Sequence, residues 1–150
     1  MSSTTGEPKL LLPFLRPFYN IVEPLSWLIV RVAAGLTLAV HGWGKIARGP
    51  AIAAKAVGER GFEPALMWTY VLIGIEFVGG ICIALGLLTR FFAPAAAIQM
   101  LIITMSYWGN GFSWLNRGYE FTLLWGAIFL AIALRGPGPY SLDRKIGWTL

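Results

Sequence analysis

The chain has 150 residues, 57% of them hydrophobic and 13% charged, with a mean hydropathy of +0.67. That balance argues against a soluble domain, because apolar runs of membrane-spanning length could not all be hidden from water. The formal charge of +5 is spread over tails and short loops without a basic stripe. This argues against nucleic acid as a partner and fits membrane orientation and anionic lipid head groups.

Residues 1–8 are polar. The stretch "KLLLPFLRPFYNIVEP" that follows is broken by prolines at 13, 17 and 24. It is too interrupted for a signal-peptide core and has no small-residue cleavage site behind it. Residues 1–24 are therefore expected to form a tail and an amphipathic segment on the membrane surface.

Four apolar spans come next, at about 25–44, 64–88, 91–109 and 118–134. Each approaches the roughly 20 residues that cross a bilayer. The expectation is an all-α, integral membrane four-helix bundle occupying 25–143, with 144–150 as a C-terminal tail. Thr89 and Arg90 leave room for only a tight hairpin between the second and third spans. The charged link from Lys45 to Glu63 is long enough for a short surface helix. "RGPGPYSLDRKIGWTL" closes the last span with a Gly/Pro stop.

Orientation follows the basic residues. Lys9, Arg16, Arg90, Arg135, Arg144 and Lys145 lie on one side, and Lys45, Arg48, Lys55, Arg60 and Arg117 on the other. The positive-inside rule places both termini in the cytoplasm by one charge, which for a bacterial protein means the cytoplasmic membrane.

Ionisable groups inside a span are expensive and mark function by default. Counting depth from the span ends puts Arg31, Glu76 and Gln99 near mid-membrane, on single faces of the first three helices. The expectation is a buried cluster in which Arg31 pairs with Glu76 and Gln99 lies in reach. Gly79 and Gly80 would let a neighbouring helix close over Glu76. His41 and Lys45 at the end of the first span, with Glu120 at the start of the fourth, suggest a polar mouth rimmed by Trp43, Trp108 and Trp114. Arg90 and Asp143 suggest a clasp between tail and hairpin. Cys82 is the single cysteine and His41 the single histidine. With so few donors, no metal site, haem or thiol–disulfide chemistry is expected from this chain alone.

"RVAAGLTLAVHGWGK", "GIEFVGGICIALGLLTRFFAPAAA" and "GYEFTLLWGAIFLAIALRGPGPYSLD" resemble the DoxX family of small membrane proteins over about residues 25–143. The matching positions are Arg31, His41, Gly42, Lys45, Glu76, Gly79, Gly80, Arg90, Glu120 and Asp143. The resemblance implies a four-helix membrane bundle. It also implies a link to quinone-coupled sulfur oxidation and to membrane redox or oxidative-stress systems, with no catalytic assignment to carry onto these residues. The leading expectation is an accessory subunit of a larger membrane oxidoreductase that contacts quinone, with electron transfer supplied by a cofactor or partner. The rivals are a non-enzymatic assembly protein whose polar seam only specifies packing, and a small-solute transporter acting as a homo-oligomer.

Overall fold

The computed structural model describes residues 11–147, and every regular element among them is helical. Lys9 of the charge balance, the polar start of the tail and the last three residues lie outside the described residues.

Helix α1 (Arg16–Arg48) has 33 residues, about 50 Å at 1.5 Å per residue. It is entered through a 3-10 turn at Pro13–Leu15. The segment expected to lie apart on the surface is therefore, from Arg16 onward, the first turns of α1. Pro17 falls in the first helical turn, where a missing N–H costs nothing, so it does not break the helix. A Gly49 with φ of 95° ends α1 and starts the short helix α2 (Pro50–Gly58), inside the link where a surface helix was expected. Next come α3 (Ala65–Leu85), α4 (Thr89–Tyr107), α5 (Glu120–Arg135) and the tail helix α6 (Leu142–Ile146).

Among the described residues, three helical stretches are long and apolar enough to cross a membrane: Pro13–Arg48, Ala65–Leu85 and Thr89–Asn110. The fourth, α5, has 16 residues, about 24 Å. It is shorter than the expected span because Gly118 is held in a turn, its N–H bonded to the Ser113 carbonyl, and Gly136 at φ 82° stops the other end. α5 lies antiparallel to α4. Thr104 Oγ1 donates to Thr122 Oγ1 at 2.9 Å, and Ala93, Ala96, Phe129 and Ile132 meet in the core with Trp27, Ala34, Leu38 and Ile83.

α1 and α3 touch backbone to backbone. A methyl group on Gly35 would fall 2.5 Å from the Ala84 nitrogen, one on Gly80 2.6 Å from the Ala39 nitrogen, and one on Gly42 2.5 Å from the Phe77 nitrogen. Small residues allow this approach, and dispersion over the close surfaces rewards it. Gly79 has a different role: its missing side chain makes room for the ring of Phe92 on α4.

These contacts fix the register and correct one expectation. Each step forward on α1 is a step back on α3, so Arg31 faces the Leu88 turn. Glu76 is twelve residues from there, about 18 Å along the axis. The span ends read from hydropathy are not the levels at which the helices pack, and depth counted from them misplaced Arg31.

Candidate functional site

At the end of the bundle away from α2, Arg31 is 1% exposed. Its guanidinium donates to the backbone carbonyls of Pro137 and Tyr140. Gly86, at φ 70°, closes α3 in a Schellman turn, with the Leu87 N–H on the Cys82 carbonyl at 2.8 Å. Any side chain at Gly86 would strike the Arg31 guanidinium and Ser141. Asp143 completes the clasp. Its two carboxylate oxygens accept the N–H groups of Leu88 at 2.7 Å and Thr89 at 3.0 Å. The tail thereby supplies the N-cap that α4 lacks, since Leu88 has no side chain to cap with. The tail is tied to the hairpin through Asp143 on the hairpin backbone, and the Arg90 guanidinium lies beside Gly136. Trp27 Nε1 donates to the Gly136 carbonyl, and the Arg135 guanidinium lies 4.5 Å above the Trp27 ring. Every polar contact here joins one part of the chain to another.

Toward the α2 end the chemistry differs. Glu76 is 3% exposed and sits on a π turn, Gly74–Val78. Such turns insert a residue into a helix, shift the phase of the following side chains and recur at functional sites. Here the turn aims the carboxylate into the bundle. Glu76 Oε2 accepts from Lys45 Nζ, and Glu76 Oε1 accepts from Gln99 Nε2. The partner of Glu76 is thus Lys45, not Arg31. The interior position of Glu76 and the reach of Gln99 are as expected.

The expected outer mouth is not a single cluster. Lys45 turns inward to Glu76. Glu120 instead accepts the Trp114 backbone N–H at 3.2 Å and tightens its own loop. His41 is exposed, one residue off the buried stripe of Arg31, Gly35, Leu38 and Gly42.

Lys45, Glu76 and Gln99 line a cavity of about 540 Å³. Its walls are apolar and come from α2 (Ile52, Ala53, Val57), α3 (Trp68, Leu72, Ile75) and α4 (Ile98, Ile102, Ile103), with Phe62 from the turn between α2 and α3. Arg48, Arg60 and Tyr107 also line it. Arg60 ties the end of α2 to α4 through Ser106 Oγ and Tyr107 Oη, both at 3.3 Å. The volume lies within the roughly 300–1,000 Å³ usual for small-molecule sites, and apolar walls with a few convergent polar groups are their usual makeup. Sequence reasoning found Lys45, Glu76 and Gln99 but assigned Lys45 elsewhere and missed the α2 wall. The signal for α2 is weak, since "PAIAAKAVG" is apolar on nearly every side.

The DoxX family profile matches residues 26–109, more than half of the chain. The chain belongs to the DoxX family. It is 31% identical over 130 residues to inner membrane protein YqjF of Escherichia coli, covering 83% of this chain and 95% of that protein. It is 29% identical over 127 residues to an uncharacterized protein of Haemophilus influenzae, covering 82% and 92%. No solved structure matches. Family membership, the inner-membrane relative and the apolar helices together make this DoxX protein an integral membrane protein.

Proposed function

We propose that this DoxX protein is an accessory subunit of a quinone-linked membrane redox system, and that the cavity above Glu76 receives the quinone head group. The carrying observation is the placement of Lys45, Glu76 and Gln99 at one apolar cavity of ring-admitting size. Of the three protons on the Lys45 ammonium, one is committed to Glu76, so others remain for a ring carbonyl. The carboxylate is the local group able to take or return a proton. Bound quinone would carry the electrons and protons exchanged with a larger oxidoreductase; the bundle would bind and orient it and keep water away. Both termini lie in the cytoplasm in this reading.

Purification from native membranes in mild detergent tests it. Solvent extraction should yield quinone in near-stoichiometric amount, accompanied by a redox partner. The Lys45→Met protein should lose the quinone, and so should the better-tolerated Lys45→Met, Glu76→Gln double variant, with circular dichroism checking that each is folded. A stable heteromeric complex without any extractable small molecule would favour the assembly reading. The Arg31 clasp supports that reading, because the two hydrogen bonds of its guanidinium join α1 to the Pro137–Tyr140 segment of the same chain.

A further inference from the structure

The cavity beside Glu76 has an open side, and the course of the helices shows which. α3 and α4 pack together from their shared turn as far as the π turn, and part beyond it, over Ala65–Ile73. At the α2 end the side chain of Arg60 reaches across the gap to Ser106 and Tyr107. Below it, cavity-lining residues on the two helices also face outward: Ile98 is 59% exposed, Val71 43% and Ile102 38%. Ile98 lies nine residues into α4, about 14 Å from the hairpin end. The hydrocarbon core is about 30 Å thick, so the gap reaches the middle of the bilayer. Arg48 and Arg60 line the opposite, α2 end of the cavity. Its charged end therefore lies toward the membrane surface, and its open apolar side toward lipid.

We infer that the gap between α3 and α4 is a lateral entrance from the bilayer, and that the cavity takes a membrane-resident amphiphile through it. The head group sits inside, and the hydrocarbon tail lies in the gap and continues into lipid. Such a tail passes from lipid to apolar walls and back to lipid, so it gives up no apolar surroundings on binding. The cavity then has to house only the head and the first part of the tail. A water-soluble solute would have to shed its hydration to reach the same entrance through hydrocarbon, which is costly for polar groups. The inference rests on where the cavity opens and not on the chemistry of the head. A tailed quinone is one molecule of this class.

Photolabelling from the lipid tests this with the unaltered full chain in nanodiscs. The probe is a phosphatidylcholine carrying a diazirine near the end of one acyl chain, with adducts mapped by mass spectrometry after irradiation. Adducts should form on Ile75 and Ile103, half-buried in the cavity wall, as well as on the outward Leu101, which is 56% exposed. Adducts confined to outward residues such as Leu101 overturn the inference. Ile98→Trp then tests the route, since it sets an indole at the mouth of the gap, on a surface that already faces lipid. The inner adducts should be lost while those on Leu101 persist, which also reports that the bundle is folded. Inner adducts that survive Ile98→Trp undiminished overturn the entrance between α3 and α4. Neither measurement involves quinone, so the quinone reading stands or falls separately, by the extraction described above.

Discussion

Lys45 and Glu76 form an ion pair across α1 and α3 whose two ends differ in their access to water: the lysine side chain is 24% exposed and the glutamate side chain 4%. The pair should therefore respond asymmetrically. Lys45→Met strands a carboxylate that cannot reach water, and should cost about 3–5 kcal/mol. Glu76→Gln leaves an ammonium that can extend toward solvent on its flexible stem, and should cost only about 1–2 kcal/mol. Thermal unfolding in detergent would measure both. The double variant should recover part of the Lys45→Met loss, whereas Arg31→Met and Glu76→Gln should add, because they are far apart and share no partner.

The glycine contacts give a second expectation. Gly80→Ala should destabilise the bundle by about 1–3 kcal/mol, the usual cost of overpacking, because its methyl would press on the α1 backbone. Gly74→Ala is the control: nothing lies within 4 Å of a methyl there. Replacing a helical glycine should leave stability level or raise it by about 0.5–1 kcal/mol. Unfolding midpoints in one detergent should rank Gly74→Ala above the parent and the parent above Gly80→Ala.

Asp143→Ala removes the borrowed cap on α4, and should cost about 0.5–2 kcal/mol. The effect should be visible locally before it is visible globally. Limited proteolysis should cut the segment after Gly136 faster, and exchange at the Leu88 and Thr89 amides should accelerate. Unchanged protection of those two amides would contradict the capping role.

Arg60→Ala should free the end of α2 from α4 at little cost, since an exposed cation–π contact contributes about 0.5–1 kcal/mol. Hydrogen exchange through Pro50–Gly58 should rise while the midpoint of unfolding moves little. The glycines at 49 and 61 that bound this stretch have φ of 95° and 84°. Alanine at either should resist that backbone and shift the position of α2.

Much of this architecture was legible from hydropathy. The spans, the tight hairpin and the surface helix follow from runs of apolar residues and from Gly/Pro punctuation. The burial of Glu76 followed from the expense of a carboxylate in lipid, and Gln99 from its place on the facing helix. Partner choice was not legible, because it depends on helix register. Register here is set by which small residues interlock, and "GGICIALG" offers several such alignments. The π turn was also silent, since "GIEFV" has no composition that distinguishes it from ordinary helix. The length of Lys45 hid its role too: its Cα lies toward the α2 end while its ammonium reaches back to Glu76. A long side chain does not act where the sequence count places it.

The backbone contact between Gly35 and Gly80 has a mechanical consequence. With no side chains between them at that level, α1 and α3 have nothing compressible there, and the two should move as one stiff spar. Volume changes in the cavity must then be taken up on the opposite walls, by α2 and α4, which are joined through the extended tip of Arg60. The compliant side of the molecule is in this way fixed by where its glycines are not.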